Sequence, residues 1–230
     1  MPTALISGAN RGLGLEFCRQ YLAAGWTVHA ACRQPGRATE LAALSRDSWL
    51  SIHRLDVAHR ADIIALAAEL DQTPIDLLIN NAGIYGDDRE HEFGHLDADR
   101  WSEVFRINTQ GPVLMTEAFL PHLLAGQRRL SVAISSLMGS IADNRSGGAL
   151  LYRSSKAALN AVMHSLAIDL RQRGIGVLIL HPGWVQTDMG GPRAPTTVVD
   201  SVSGMRRVID GFSLGDSGQF ADFRGQVLPW

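Results

Sequence analysis

The sequence has few cysteines, no surplus of positive charge and no long apolar run. Cys18 and Cys32 are its two cysteines, too few for a disulfide framework, so we expect both to be small buried side chains. A net charge of -2 leaves no basic surplus to neutralise phosphates, which argues against nucleic acid or an anionic membrane as a partner. No apolar segment approaches the length that spans a bilayer.

The amino terminus also lacks a basic region followed by a long apolar segment. No secretory signal is therefore visible, and we expect a cytoplasmic location. The remaining composition is ordinary for a globular protein, with 46% hydrophobic and 19% charged residues over 230 positions. This length suits one sheet with helices on both faces, so residues 1–230 are expected to form a single domain.

Short apolar runs alternate with helical patterns along the chain. Repeated strand–helix units predict an α/β fold, a Rossmann-like, doubly wound parallel sheet with helices on both faces. Strands are expected at residues 4–7, 27–32, 50–55, 75–79, 130–134 and 175–180. Helices are expected over about 15–22, 38–44, 60–70, 100–124 and 151–171, the fourth interrupted near Gly111-Pro112.

The first strand runs into a glycine-rich turn, Gly8-Ala9-Asn10-Arg11-Gly12-Leu13-Gly14, followed by a helical pattern. Glycines let the backbone approach a pyrophosphate, and the amino terminus of a helix offers unpaired N–H groups. The spacing alone does not separate a dinucleotide site from a glycine turn without function. Further polar residues follow later strands, at Arg33, Asp56, 80–83, Ser135-Ser136 and 181–183, where parallel sheets bind their ligands.

Tyr152 and Lys156 are four residues apart in a predicted helix, so they share one face. A phenol has a pKa of about 10 in model peptides. A fixed ammonium group beside it favours the phenolate, which makes the pair a candidate general acid/base unit. Arg153, Ser154 and Ser155, which lie between them, gain no catalytic role from their position.

These motifs together resemble the short-chain dehydrogenase/reductase family over essentially the whole chain. The matching pieces are Ser7-Gly8-x-x-x-Gly12-x-Gly14, Asp56-Val57, Asn80-Asn81-Ala82-Gly83, Asn108, Ser136, Tyr152-x-x-x-Lys156 and Pro182-Gly183-x-x-x-Thr187. The stretch after Ser136 and the terminal residues 218–230 resemble the C-factor and sniffer-type carbonyl reductase branch.

The resemblance implies a catalytic group made of Asn108, Ser136, Tyr152 and Lys156. Tyr152 would donate a proton as hydride reaches the substrate carbon, and Ser136 would hydrogen-bond the substrate oxygen. Lys156 would lower the pKa of Tyr152 and bind the nicotinamide ribose, while Asn108 would hold a water linking Lys156 to solvent. The implied cofactor contacts are Gly8, Asn10, Arg11, Gly12, Leu13, Gly14, Arg33, Asp56, Val57, Asn81, Ala82, Gly83, Tyr152, Lys156, Pro182, Val185 and Thr187.

Charge favours NADP(H) as the cofactor, with NAD(H) possible. Dinucleotide folds usually end the second strand with an acidic residue that binds the adenosine ribose. Here Arg33 follows that strand and Arg11 lies in the glycine-rich turn. Two guanidinium groups suit the 2′-phosphate of NADP(H), because it accepts paired hydrogen bonds; the alternative is that either arginine is a solvated surface charge.

The leading hypothesis is a reductase of a small carbonyl substrate. One alternative is a dinucleotide-binding regulatory or signalling protein with vestigial catalysis, and a sugar-nucleotide epimerase is disfavoured by the glycine spacing. Residues 186–200 are expected to form a substrate loop or lid. The resemblance also implies a homo-oligomer, most simply a dimer, because the helix that carries Tyr152 often forms a dimer face in the family. Its apolar stripe, Ala157, Ala158, Ala161 and Leu166, fits that face or packing within the core. No metal is expected, since His91-Glu92-Phe93-Gly94-His95 matches a zinc-protease pattern but falls in a predicted loop.

Overall fold

The structure is a computed structural model that describes residues 1–44, 49–88 and 92–230. Its centre is a seven-stranded sheet in which each neighbouring pair of strands is parallel, in the order β3-β2-β1-β4-β5-β6-β7. The strands are β1 (Thr3–Ser7), β2 (Thr27–Cys32), β3 (Leu50–Arg54), β4 (Leu77–Asn80), β5 (Leu130–Ile134), β6 (Gly176–His181) and β7 (Phe220–Asp222). The strand order reverses between β1 and β4, so a crevice opens there at the carboxyl ends.

Helices connect these strands and cover both faces of the sheet. They are α1 (Gly12–Ala23), α2 (Thr39–Ala42), α3 (Arg60–Glu69), α4 (Ala98–Phe105), α5 (Gly111–Ala118), α6 (Leu120–Ala125), α7 (Leu150–Arg171) and α8 (Val198–Asp210). The predicted fold class is therefore confirmed, as is each of the six predicted strands to within a few residues.

Two apolar cores lie on the two sides of the sheet. One includes Phe17 and Tyr21 of α1 and Met205 of α8, all buried. The other includes Met115 of α5 and Met163 of α7. Because burial of apolar surface is the dominant favourable term in folding, these two cores hold the helices, and with them the side chains at the sheet's edge, in place.

The prediction of one helix over residues 100–124 is wrong. It divides into α4, a π-helical turn at Arg106–Gln110, α5 and α6. Pro112 lies in the first turn of α5, where its missing N–H costs no helical hydrogen bond. The Gly111-Pro112 interruption was therefore predicted in the right place, but the π turn before it was not.

β7 and α8 were not predicted. β7 has three residues, too few for a clear alternation, although Phe220 and Ala221 are buried. α8 begins at Val198 after Thr197, whose hydroxyl accepts a hydrogen bond from the Asp200 N–H. The nonhelical part of the predicted 186–200 loop is thus residues 186–197. Within the described ranges, no helix combines the length and the apolar character needed to cross a bilayer.

Candidate active site

The glycine-rich turn lies at the crevice between β1 and β4. Gly8 has a φ of +66°, and a Cβ there would come within 2.9 Å of the Ala82 Cα. A Cβ on Gly14 would clash with the Gly8 carbonyl. Arg11 is the N-cap of α1 but makes no side-chain cap hydrogen bond, which leaves the first N–H groups of the helix to face a ligand. This open turn fits the pyrophosphate of a dinucleotide.

The turn is fastened to the end of β4 by polar side chains. The Ser7 hydroxyl accepts hydrogen bonds from the N–H groups of Asn81 and Ala82, both at 3.1 Å. The Asn81 amide donates to the carbonyls of Ser7 and Gly8 at 3.0 and 3.1 Å. The Asn81 side chain therefore supports the turn, and what residues 81–83 present to the crevice is mainly backbone.

The π turn brings Asn108 to the other side of β4. Its side chain donates to the Ile84 carbonyl at 2.8 Å and accepts from the Ile84 N–H at 2.9 Å. It also donates to the Ser155 hydroxyl in α7 at 3.0 Å. A Cβ on Gly83 would lie 3.2 Å from the Asn108 Oδ1 and 3.7 Å from the Lys156 Nζ. Glycine at this position therefore lets the backbone of residue 83 lie close to both groups.

Ser136 lies just after β5, next to Tyr152. Its hydroxyl accepts the Met138 N–H at 3.1 Å and is near enough to the Tyr152 phenol to lower its pKa. The neighbouring Ser135 hydroxyl instead donates to Asn160 at 2.6 Å, which supports the choice of Ser136 over Ser135 as the residue that faces a substrate. Gly139 packs so closely that a Cβ would lie within 2.8 Å of the Lys156 backbone.

Tyr152 and Lys156 are both buried in the first two turns of α7. Burial raises the pKa of Tyr152 to about 12, against the opposing hydrogen bond from Ser136. Burial lowers the pKa of Lys156 to about 8. The Lys156 Nζ donates to the Ile134 carbonyl at 2.8 Å and lies 5.7 Å from the centre of the Tyr152 ring.

The pKa of Tyr152 thus moves in the direction opposite to the one expected from Lys156 alone. Loss of solvation, which disfavours the charged phenolate, is the largest cause of this shift. A phenol of this pKa is protonated at neutral pH, which is the state that a proton donor needs.

The residues expected around the adenosine lie along one edge of the same crevice. Arg33 is exposed just beyond β2, and Val57 is buried against Gly111. The Asp56 carboxylate caps its own turn through the Ala58 N–H at 3.0 Å and lies 3.5 Å from His59. Arg11 forms an exposed ion pair with Asp188, so its charge has a partner within the chain.

The segment after β6 folds over the glycine-rich turn. Thr187 Cγ2 would lie 3.5 Å from a Cβ on Gly12, and Arg11 pairs with Asp188. Within the segment, the Gln186 N–H donates to the Thr196 carbonyl at 2.9 Å, and Val185 pairs with Thr196. Thr187 therefore lies beside the open first turn of α1, and Pro182 and the buried Val185 precede it in the segment.

The comparison with known proteins agrees with this geometry. The sequence profile of one family, short chain dehydrogenase, matches residues 2–197. The chain belongs to the short chain dehydrogenase family. C-signal of Myxococcus xanthus is 47% identical over 166 residues, which are 72% of this chain and 99% of that protein.

Two solved structures of carbonyl reductases are also similar to the chain. The NADPH-bound carbonyl reductase from chicken fatty liver is 39% identical, with a TM-score of 0.91 and coverage of 100% of this chain and 99% of that one. The carbonyl reductase Sniffer of D. melanogaster is 32% identical, with a TM-score of 0.94 and 100% of both chains covered. The resemblance to the family and to its C-factor and sniffer-type branch is confirmed.

Some side chains around this short chain dehydrogenase site were not found from the sequence. Tyr85 packs its ring 5.0 Å from that of Tyr152, and Asp87 binds the first turn of α7. Both belong to a loop with no periodic pattern. Asn160 is four residues after Lys156, so the helical spacing used for Tyr152 and Lys156 could have found it.

Residues 92–95 of the zinc-protease pattern do not lie in a helix. His91 lies outside the described residues, and Glu92 to His95 lie in a bend and turn. Across the described parts of the chain, no cluster of at least three His, Cys, Asp or Glu side chains is placed to hold a metal ion.

Proposed function

We propose that this short chain dehydrogenase is an NADP(H)-dependent reductase of small aldehydes or ketones, reversible as an alcohol dehydrogenase. The observation that carries the proposal is that Tyr152 is buried and protonated beside Ser136, with Lys156 one helical turn further along α7. A protein that only binds a dinucleotide has no need for this pair, because the pair lies apart from the glycine-rich turn and the adenosine edge.

The proton chemistry follows from the side chains. NADPH, when bound, supplies a hydride. The Ser136 hydroxyl donates a hydrogen bond to the substrate carbonyl oxygen and stabilises the negative charge that develops there. Tyr152 gives its phenolic proton to that oxygen, so the carbonyl becomes an alcohol and the tyrosine a phenolate. Lys156 stabilises the phenolate until solvent returns the proton, and we propose that the π turn at Asn108 holds the water for this return.

Several residues are placed to hold the cofactor. The glycine-rich turn and the open amino terminus of α1 suit the pyrophosphate. No carboxylate directly follows β2, whereas Arg33 is exposed there, which suits a 2′-phosphate. The ion pair of Arg11 with Asp188 is exposed and therefore weak, so a phosphate can compete for Arg11. The similar carbonyl reductase from chicken fatty liver is NADPH-bound.

A signalling role is the second candidate function. It is favoured by the relative named C-signal, which this chain matches over 99% of that protein's length. Such a protein would bind NADP(H) at the same crevice but turn over carbonyl compounds weakly or not at all. A homodimer, a cytoplasmic location and a lid at residues 186–197 stay predictions.

A panel of small aldehydes and ketones tests the proposal, with the loss of NADPH absorbance as the measurement and NADH in parallel. We expect turnover of at least one compound, faster with NADPH than with NADH. NADPH binding without turnover of any compound would contradict the reductase and favour the signalling role.

A further inference from the structure

The catalytic helix α7 begins without a cap of its own. Its N-cap residue is Ala149, which has no side-chain oxygen to accept an N–H group and has a φ of +47°. Gly147 and Gly148 before it also have positive φ values, +64° and +67°. Helix starts normally use Ser, Thr, Asp or Asn at this position. The first turn of α7, which includes Tyr152, therefore needs an acceptor from elsewhere in the chain.

Asp87 supplies that acceptor from 64 residues away. Its two carboxylate oxygens accept the N–H groups of Leu151, at 3.1 Å, and of Tyr152, at 2.8 Å. These are the second and third residues of the helix, whose N–H groups an N-cap side chain usually binds. A negative charge at the amino terminus is also favoured by the helix dipole.

The segment that carries Asp87, residues 84–88, is fixed along its length. Asn108 holds both the N–H and the carbonyl of Ile84. Arg100 of α4 donates to the Gly86 carbonyl and lies 3.4 Å from Asp88. Gly86 has a φ of +82°, and a Cβ there would clash with Val104, so no other residue fits this path. We call residues 84–88 the strap.

The strap joins the Asn108 site to the start of the catalytic helix. It also places the Tyr85 ring against that of Tyr152. The pKa of Tyr85 is raised, mainly by burial and secondly by the charge of Asp87. One short segment thus fixes the backbone of Tyr152 and one side of its ring.

We propose that Asp87 is a positioning residue for the reaction: as a helix cap supplied by a distant segment of the same chain, it holds the Tyr152 backbone so that the phenol meets Ser136. This role rests on the proposed function of Tyr152 as proton donor. Replacing Asp87 by alanine releases two N–H groups and lets the first turn of α7 fray. The phenol then moves relative to Ser136, and small misplacements of reacting groups reduce rates strongly.

The test compares Asp87→Ala, Asp87→Asn and Asp97→Ala. Asp97 is a matched control, because it caps α4 through two N–H groups, those of Asp99 and Arg100, at 2.9 and 3.0 Å. Amide hydrogen exchange at Leu151 and Tyr152 should become roughly tenfold faster in Asp87→Ala. The value of kcat for carbonyl reduction should fall by about tenfold or more, while the Kd for NADPH stays within about twofold of the wild-type value.

Asp87→Asn keeps one side-chain oxygen, which can accept one of the two N–H groups, so its exchange protection and its kcat should lie between those of the wild-type protein and of Asp87→Ala. Unchanged exchange and unchanged kcat in Asp87→Ala would overturn the proposal. An equal loss of kcat in Asp97→Ala would also overturn it, since the effect would then be a general loss of stability. If the wild-type protein reduces no carbonyl compound, the proposed function fails, but faster exchange confined to Asp87→Ala still supports Asp87 as the cap.

Discussion

At the scale of single residues, burial sets the protonation of Tyr152 and Lys156. The pKa of Tyr152 is raised to about 12 and that of Lys156 is lowered to about 8. Both shifts favour the uncharged form, which is the effect of removing a charged group from water. At pH 7 Tyr152 carries its proton and Lys156 is still an ammonium ion, which are the states that the proposed reduction requires.

The first prediction concerns pH. As the pH rises through about 8, Lys156 loses its charge and no longer stabilises the phenolate that Tyr152 leaves. We therefore expect kcat/KM for reduction to be level from pH 6 to pH 7 and to fall above pH 8. Lys156→Arg keeps its charge throughout, so its residual activity should not fall over this range. A wild-type profile that stays level to pH 10 would contradict this account.

The second prediction concerns Arg33. Charge-assisted hydrogen bonds contribute about 1.5–3 kcal/mol, so Arg33→Asp should lower kcat/KM with NADPH by roughly tenfold or more, with little loss for NADH. Arg37→Asp is the control, because Arg37 is an exposed arginine in the short 3-10 turn that follows. Steady-state kinetics with both cofactors gives the ratio of kcat/KM with NADPH to kcat/KM with NADH. The same NADPH/NADH ratio in Arg33→Asp and wild type would remove Arg33 from the 2′-phosphate site.

At the scale of elements, a buried histidine pair links β2, β3 and α3. The His29 Nδ1 lies 3.0 Å from the His53 Nε2, and the His53 Nδ1 lies 2.8 Å from the Glu69 carboxylate. Burial lowers the pKa of His29 to about 4, and the neighbouring His53 is the second-largest cause. His29 is therefore neutral in the folded protein at pH values where it would be protonated in the unfolded chain.

The third prediction is that the protein loses stability in mild acid because the unfolded chain takes up a proton on His29. Unfolded His29 takes up a proton near its ordinary pKa of about 6.5, while folded His29 does so only near 4. Its contribution to the free energy of unfolding is complete above pH 6.5 and is lost as the pH falls from 6.5 to 4. Urea unfolding at pH 7, 6 and 5 should show this loss, and His29→Gln should reduce it.

The exposed His59 provides the control for this measurement. His59→Gln should leave the dependence of stability on pH close to that of wild type. His181 also has its pKa lowered to about 4 by burial, so part of the dependence should remain in His29→Gln. A pH dependence in His29→Gln as steep as in the wild-type protein would show that the histidine pair is not its source.

The elements differ in how well the sequence predicts them. Runs of three or four consecutive apolar residues made β1, β5 and β6 easy to find, because such strands are buried on both faces. β7 was missed because it is only three residues long, and it is a strand because it pairs with β6. The π turn at Arg106–Gln110 was missed because an extra residue in a helical turn leaves apolar spacing almost unchanged.

At the scale of the whole molecule, the site is assembled from the ends of several strands. Asn108, Ser136, Tyr152 and Lys156 come from the π turn, the end of β5 and α7, and the glycine-rich turn comes from the end of β1. A parallel sheet brings the ends of β1 and β5 to one edge, which is why the motifs that follow these strands in the sequence lie close together. Asp87 and Tyr85 could not be predicted in this way, since only tertiary packing brings their loop to α7.

The central claim is that Tyr152 is the proton donor for carbonyl reduction. Its most direct test is a single-turnover measurement of NADPH oxidation by Tyr152→Phe with an active carbonyl substrate. Tyr85→Phe serves as the control, because the Tyr85 ring lies 5.0 Å from the ring of Tyr152. Tyr152→Phe should bind NADPH with nearly wild-type affinity and react about 100-fold or more slowly, since it lacks the general acid, whereas Tyr85→Phe should keep most of the rate. Tyr152→Phe oxidising NADPH at the wild-type rate would contradict the account.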